Sequence, residues 1–309
     1  MHPVLIIGCG DIGIRTGRLA LAAGLPVSGL VRSSEGVDRL RQAGIEPLQA
    51  DLMDQASLAG LPTRNAWVLY AAPPPGGGHA DAKIRHFLAT IKSGAEPAKL
   101  VYLSTSGVYG DCSGAVVTEA TPVKPTSARA RRRWDAECCV RQFGEERSVP
   151  TVVMRVTGIY GPHRFPLHYL LQKHPMLRRD EAPFTNRIHA DDLAQVCLAA
   201  LEKGRDGDLF NVCDGQQSSM TDYFMALADV FGLERPPEVG MEEAKTVMNP
   251  MMFSYLQESR RMENGKMLRD LGITLRYPDL QSGLAASARE MLEEQPDLIE
   301  ELASRLGKS

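Results

Sequence analysis

Three glycines near the start of the chain, Gly8, Gly10 and Gly13, have the spacing G-x-G-x-x-G, which can hold a dinucleotide pyrophosphate. The first permits a tight turn after a strand, the second lets a phosphate approach the backbone, and the third lets the next helix pack closely. The free N–H groups at the start of that helix, at Asp11 and Ile12, then point at the phosphates. These residues predict a cofactor site.

The surroundings of this turn strengthen the prediction. Residues 4–7 are an apolar, β-branched run, and residues 14–23 show an apolar helical pattern that ends at Gly24. A glycine-rich turn alone is weak evidence, because such turns are common. Its position between a buried strand and a helix favours dinucleotide binding over a simple turn.

The end of the second predicted strand, residues 26–31, indicates which dinucleotide binds. An acidic residue at this point binds the 2′-hydroxyl of NAD, whereas an arginine accommodates the 2′-phosphate of NADP. Here the strand ends in Val31, and Arg32 and Ser33 follow. We therefore expect NADP in preference to NAD, bound by Arg32 and Ser33. The alternative is that Arg32 is a solvated surface residue.

Three more strand ends are expected to contact the cofactor. Asp51 and Leu52 follow the third strand and are placed to meet the adenine, although Asp51 can also cap a helix from Gln55 onward. The fourth strand ends in Ala71, Ala72 and a proline-rich loop that starts at Pro73. That loop forms either a stiff wall beside the nicotinamide or only a rigid connection. Ser104, at the end of the fifth strand, completes the predicted set.

The elements that position these residues alternate between strands and helices. Predicted strands at 4–7, 26–31, 45–50, 66–72, 100–103, 151–156 and 210–212 are separated by predicted helices such as 81–93 and 129–143. This order is typical of an α/β protein with a Rossmann-like, doubly wound parallel sheet. We expect a dinucleotide-binding domain at 1–161 and 186–215. Residues 162–185 and 216–309 are expected to form a smaller, C-terminal α/β substrate lobe.

Composition narrows the function classes. The 309 residues are 43% hydrophobic and 24% charged, with a net charge of −3, so neither nucleic acid nor an anionic membrane is an expected partner. The chain enters its first strand without a secretory signal, and its longest apolar stretch is too broken to span a bilayer. Six scattered cysteines and histidines without zinc spacing predict a cytoplasmic protein without a bound metal.

The chain resembles the short-chain dehydrogenase/reductase superfamily, in its extended branch of NAD(P)-dependent epimerases and dehydratases acting on nucleotide sugars. The resemblance runs from about residue 4 to the helix that contains Leu284. The matching stretches are 8–13, 51–52, 103–111, 155–162, 187–192, 210–212, 277–279 and 283–284.

The resemblance implies a catalytic Ser or Thr after the fifth strand, matched by Thr105, and a Tyr-x-x-x-Lys on the next helix. Positions 129 and 133 of that helix are both arginine, and we expect the chain to lack Tyr-x-x-x-Lys. An arginine stays protonated and cannot exchange a proton as tyrosine does. Arg133 can still bind the nicotinamide ribose, and Arg129, one turn earlier, can hold a carboxylate or phosphate. Alternatively, residues 129–133 form a solvated basic face.

If Arg129 is buried, a negative group must neutralise it. Asp111 or Glu119 would make the site closed and structural, whereas a ligand would make it an anion site, which we favour. The sequence thus predicts an atypical NADP-dependent oxidoreductase or epimerase acting on a small polar substrate, anionic or sugar-like. The alternative is a redox-silent NADP-binding sensor or scaffold. Family resemblance also suggests a homodimer formed through the helix at 129–143.

Overall fold

The computed structural model describes residues 2–306. Most of its β-structure belongs to one sheet, and the remaining strands are short pairs. Across these residues the strands are β1 (Val4–Ile7), β2 (Val27–Val31), β3 (Glu46–Gln49), β4 (Trp67–Tyr70), β5 (Lys99–Thr105), β6 (Val116–Val117), β7 (Thr151–Val156), β8 (Gly158–Tyr160), β9 (Met176–Leu177), β10 (Phe184–Thr185), β11 (Arg187–His189), β12 (Asp208–Val212), β13 (Ser218–Ser219), β14 (Glu238–Val239) and β15 (Arg261–Met262).

Helices cover both faces of the main sheet and build the C-terminal region. The α-helices are α1 (Asp11–Ala22), α2 (Ser34–Gln42), α3 (Ala82–Thr90), α4 (Ala128–Arg147), α5 (Leu167–Leu171), α6 (Ala190–Lys203), α7 (Met220–Val230), α8 (Met241–Val247), α9 (Pro250–Tyr255), α10 (Gly265–Leu271), α11 (Leu280–Glu294) and α12 (Leu298–Leu306). Two 3-10 helices, Gln55–Leu58 and Ser106–Tyr109, follow β3 and β5.

The seven predicted strands form one parallel sheet in the order β12-β7-β5-β4-β1-β2-β3. The strand β1 lies inside the sheet, so its carboxyl end and the glycine-rich turn open at a point where the strand order reverses. This is where ligands bind in sheets of this kind. The predicted α/β fold with a Rossmann-like doubly wound sheet is therefore confirmed.

The main sheet lies between two hydrophobic cores, because its strands carry apolar side chains on both faces. Ile6 and Leu69 face one core with α1 and α6, while Leu5 and Val68 face the other with α3 and α4. Alternate residues of a strand point to opposite faces, so a strand buried on both sides is apolar throughout.

A third apolar cluster packs α5, α7, α8, α9 and α11 together outside the sheet. It agrees with a C-terminal lobe, but the domain boundaries at 161, 185 and 215 stay a prediction, as does the homodimer. A helix with the length and apolar character needed to cross a membrane is absent from residues 2–306.

Candidate functional site

The glycine-rich turn has the geometry that its spacing predicts. Gly8 has a φ of +79°, and a Cβ there would lie 2.6 Å from the Ala72 Cα. A Cβ on Gly13 would approach Ile6 at 3.0 Å, so the helix packs tightly on β1. At Gly10, by contrast, a Cβ would meet nothing within 4 Å. The turn is therefore closed on the protein side and open where a ligand would approach.

The N-terminus of α1 is left without a cap. Gly10 occupies the N-cap position, and no side chain accepts a hydrogen bond from the first turn. The N–H groups of Asp11 and Ile12 consequently remain available to an anion, supported by the positive end of the helix dipole.

Charged side chains surround this turn. The Asp11 carboxylate accepts from Arg15 at 2.8 Å and from Arg164 at 2.6 Å, and Arg15 also pairs with Asp191 at 2.5 Å. These two arginines lower the pKa of Asp11 against the desolvation that raises it. The side chain of Asp11 is thus neutralised by the protein, and its backbone N–H is the part left for a cofactor.

The predicted adenosine side is exposed. Arg32 lies at the end of β2, where its carbonyl accepts from Gln49 and its guanidinium has no acceptor among the described residues. The Ser33 hydroxyl accepts from the Gly36 N–H as the N-cap of α2, which leaves its own proton free to donate. The Asp51 carboxylate accepts from the Met53 N–H.

The helix-cap interpretation of Asp51 is wrong in detail. Asp54 is the N-cap of the 3-10 helix that starts at Gln55, and its carboxylate accepts from the Ala56 N–H. Leu52 is buried, and its carbonyl binds His86. Contact between these residues and the adenine stays a prediction.

The ends of β4 and β5 meet below a cavity of about 600 Å³. It is lined by Pro73, Pro74, Thr105, Ser106, Gly107, Arg129, Arg133, Thr157, Gly158, Phe184, Thr185, Asn186, Arg187, Met220, Tyr255, Glu258 and Arg260. Thr105, Arg129 and Arg133, the three predicted catalytic residues, are therefore brought to one cavity. Ala71 and Ala72 lie just before its proline wall, and Ala72 packs on Gly8.

Ser104 points away from this cavity. Its hydroxyl donates to the buried Glu137 carboxylate at 2.5 Å, and Glu137 also binds Arg155 at 2.8 Å. The side chain of Ser104 thus belongs to a buried charge network. Thr105, the next residue, has its hydroxyl at the cavity and accepts from the Gly107 N–H at 3.3 Å.

Arg133 is held by neutral oxygens. One of its terminal nitrogens donates to the Leu103 carbonyl at 2.9 Å, to the Tyr102 hydroxyl at 3.2 Å and to the Ala72 carbonyl at 3.4 Å. No carboxylate among the described residues pairs with it, and its other nitrogens have no protein acceptor. This arrangement fixes a cation at the ends of β4 and β5 and keeps donors for a ligand.

Arg129 is likewise without an acid. Its guanidinium lies over the Tyr255 ring at 4.1 Å and has no acceptor in the described part of the chain. Asp111 instead binds backbone N–H groups of Ser113 and Ser259, and Glu119 binds the Asn211 N–H. The two candidate acids therefore do not neutralise Arg129.

The arginine run does not form one solvated face. Arg131 is exposed, but Arg132 turns to the Gly77 and Gly78 carbonyls at 3.1 and 2.8 Å, and Arg129 and Arg133 line the cavity. One helical turn separates 129 from 133, which puts both on the same side of α4.

The expectation that the chain lacks Tyr-x-x-x-Lys is wrong, because this spacing occurs at Tyr169 and Lys173. Tyr169 lies in α5 and packs against His174 and Phe224, while Lys173 pairs with Glu234 at the surface at 2.5 Å. Neither residue lines the cavity. The spacing is therefore part of the C-terminal lobe, and arginines occupy the register on α4.

Sequence reasoning missed three cavity residues that carry charge: Arg187, Glu258 and Arg260. Arg187 belongs to the matching stretch 187–192 but received no predicted role, and the other two lie in a region without a recognisable motif. Arg260 pairs with Glu258 at 2.8 Å and donates to the Gly110 carbonyl. Its place in the matching stretch 187–192 was the one available signal for Arg187.

The helix α6 is capped by a histidine. His189 is the N-cap, and its Nδ1 accepts from the Asp191 N–H at 3.1 Å. Its Nε2 contacts the Ser287 hydroxyl at 2.8 Å. Burial lowers the pKa of His189 to about 4, so the ring is neutral near pH 7. His189 can therefore serve as an acceptor at the helix start.

Known proteins resemble this chain both in sequence and in fold. The model of the NAD dependent epimerase/dehydratase family matches residues 4–213. Human dTDP-D-glucose 4,6-dehydratase is 28% identical over 135 residues, which are 41% of this chain. The match spans 39% of that enzyme's length.

Two solved structures superpose along nearly the whole chain. A functionally unknown conserved protein from Silicibacter pomeroyi DSS has a TM-score of 0.78 at 29% identity, covering 94% of this chain and 99% of its own. The dTDP-glucose 4,6-dehydratase of Bacillus anthracis, in complex with NAD, has a TM-score of 0.78 at 16% identity, covering 98% and 100%. The second likeness concerns the fold alone.

Proposed function

The chain belongs to the NAD dependent epimerase/dehydratase family, and we propose that it binds NADP and acts as an oxidoreductase or epimerase on a small, polar, anionic or sugar-like substrate. The observation that carries the proposal is the pair of sites along one edge of the sheet. The glycine-rich turn lies at the end of β1, and the arginine-lined cavity lies at the ends of β4 and β5.

The residues around the turn fit a dinucleotide. Uncapped N–H groups at Asp11 and Ile12 and the open space at Gly10 suit a pyrophosphate. Arg32 and Ser33 suit the 2′-phosphate of NADP, because a guanidinium forks onto phosphate oxygens and a hydroxyl adds a donor. NAD in the Bacillus anthracis neighbour supports a nicotinamide dinucleotide of this general kind.

Within the cavity, the proposed roles follow from chemistry. Bound NADP would supply hydride transfer. Arg133 orients the nicotinamide ribose through its unused N–H donors, and Arg129 orients an anionic group of the substrate. Since neither arginine releases its proton, the Thr105 hydroxyl and water are the groups that carry a proton to or from the substrate.

Cofactor choice is tested at Arg32. We expect Arg32→Ala to weaken NADPH binding by about 1.5–3 kcal/mol, because a charge-assisted phosphate contact is lost, while NADH binding hardly changes. Calorimetric dissociation constants for both cofactors, before and after the substitution, measure this. Exposed Arg39, on α2, provides a matched Arg→Ala control. Equal NADPH and NADH affinities in the unmodified protein would refute the choice of NADP.

Turnover separates the proposal from its rival, a redox-silent NADP-binding sensor or scaffold. The protein is mixed with NADPH and a panel of carbonyl metabolites, and absorbance at the reduced nicotinamide band is followed. Oxidation that requires Thr105 supports the enzyme. An epimerase returns its hydride to the substrate and consumes no NADPH, so tight cofactor binding favours the binding protein only if NADPH is not oxidised and no sugar is epimerised in the presence of NADP.

A further inference from the structure

Two arginines of the cavity are held by aromatic rings instead of carboxylates. Arg187 lies 3.9 Å from the centre of the Tyr223 ring, and Arg129 lies 4.1 Å from that of Tyr255. Stacking on a ring fixes the plane of a guanidinium without neutralising it, and the N–H donors in that plane stay free. The protein thus orients these two cations and keeps their charge.

Arg187 is the more confined of the two. Its Nε is buried without a hydrogen-bond partner, and its guanidinium donates to no acceptor among residues 2–306. A buried charge without a partner is costly, so such a group points to a ligand that supplies the missing acceptor. Desolvation lowers the pKa of Arg187, but its guanidinium stays protonated.

The two acids that interact electrostatically with Arg187, Asp214 and Asp222, have their hydrogen bonds and ion pairs with other groups. Asp214 accepts from the Gln216 N–H, and burial raises its pKa to about 7, so it is partly protonated near neutral pH. Asp222 forms the capping box of α7 with Ser219 and pairs with Arg179. Neither carboxylate forms an ion pair with Arg187.

The carboxylate in the cavity wall is also in use. Glu258 binds Arg260 at 2.8 Å and accepts from the Thr126 hydroxyl at 3.1 Å. Since the wall also contains Arg129, Arg133 and Arg187, positive side chains exceed negative ones by three. A neutral sugar would leave this excess uncompensated.

We infer that the cavity binds a small dianion, with one acidic group on Arg187 and the other on Arg129. The ligand class is a molecule acidic at two ends, either a dicarboxylate or a phosphorylated carboxylic acid. The two guanidiniums are held by different rings, Arg187 on β11 and Arg129 on α4, and each offers its own donors to an acidic group. This inference rests on the proposed function and narrows its substrate.

Calorimetry on the full chain with saturating NADP tests the inference. The probes are malonate, succinate, glutarate and phosphoglycolate, with acetate and butyrate as monoanions and UDP-glucose as a nucleotide sugar. We expect at least one dianion to bind tenfold or more tightly than either monoanion. Arg187→Met should abolish that advantage, and Arg187→Lys should retain part of it, because lysine keeps the charge but loses the fork.

Arg261→Met is the matched control. Arg261 also stacks on a ring, that of Phe184 at 5.3 Å, but its Nε is bound to the Gly114 carbonyl and it does not line the cavity. Dianion affinity should therefore be unchanged in this variant. Arg129→Lys should also weaken dianion binding several-fold, while NADPH affinity holds in every variant.

The outcomes separate the inference from the proposed function. Absence of NADPH binding would count against the proposed cofactor site, and the probes are then tested without NADP. Normal NADPH binding with dianions no tighter than monoanions would overturn the inference alone. So would tight UDP-glucose binding that Arg187→Met leaves intact. Thermal unfolding shows whether each variant is folded. If Arg187→Met does not fold, the comparison of dianion and monoanion binding is made with Arg187→Lys.

Discussion

Arg155 is buried and Arg187 is half-buried at the wall of the cavity, and of these two arginines only Arg155 has a carboxylate partner among the described residues. Arg155 binds both oxygens of the fully buried Glu137, at 2.8 and 3.2 Å, and lies over the Tyr109 ring. Arg187 lies over a ring as well, yet it has no carboxylate partner. The charge of Arg155 is therefore neutralised by a protein carboxylate, whereas the charge of Arg187 is not.

This difference distinguishes an arginine that supports the fold from one that is available to a ligand. Burying an ion is unfavourable unless a partner with good geometry offsets the desolvation, and Glu137 provides that for Arg155 between β7 and α4. At Arg187 the partner is missing on the side that faces the cavity. An arginine that is paired with a buried carboxylate stabilises the fold, whereas an arginine without such a partner, at the wall of a cavity, is available to bind an anionic ligand. The following substitutions test this contrast, in order of expected effect.

Arg155→Met should have the largest effect. It leaves the buried Glu137 carboxylate without its main partner, so we expect a loss of about 3–5 kcal/mol in the free energy of unfolding. Urea unfolding measures it. The double variant Arg155→Met with Glu137→Leu removes both charges and should recover much of the loss. A single variant as stable as the parent would show that the network is not structural.

His189 provides a second test, because it lies two residues after Arg187 on β11 and, unlike an arginine, can be buried in its neutral form. An unfolded histidine titrates near pH 6.5, whereas burial lowers the pKa of His189 to about 4. Between these values the unfolded chain binds more protons, so stability is lost as pH falls from 6.5 towards 4. The contribution is up to about 3 kcal/mol.

Unfolding free energies of the parent and of His189→Gln, measured from pH 7.5 to 4.5, isolate this contribution. Asp214 acts in the opposite direction, because its raised pKa of about 7 favours the folded state as pH falls. It is present in both proteins and cancels in the difference. Parallel curves for the two proteins would contradict neutral burial of His189.

Arg187→Met should have the smallest effect on stability and the opposite sign. Removing an uncompensated charge relieves desolvation but loses the stacking on Tyr223, so we expect a change between zero and about 1 kcal/mol in favour of the folded state. Thermal unfolding without ligand measures it beside Arg155→Met. Comparable destabilisation of both variants would mean that Arg187 is a structural residue like Arg155.

The main sheet was predictable because its signals are local. Apolar runs such as 151–156 identify strands by their immediate neighbours, and the sequence around Gly8 and Gly13 specifies a turn through backbone sterics. Element ends were less accurate. His189 caps α6 through the Asp191 N–H, but the other nitrogen of its ring contacts Ser287, 98 residues away in the chain. The positions of Arg129 and Arg133 followed from family resemblance.

What the sequence alone determined is the order of strands and helices, the glycine-rich turn and the absence of Tyr-x-x-x-Lys from α4. What only the tertiary structure decided is the partner of each charge. Glu137 is 18 residues from Arg155, and Tyr223 is 36 residues from Arg187, so no local pattern assigns either contact. Strand periodicity arises between near neighbours in the chain, whereas charge compensation depends on which elements pack together. Packing alone left Arg187 at the cavity without a carboxylate partner among the described residues.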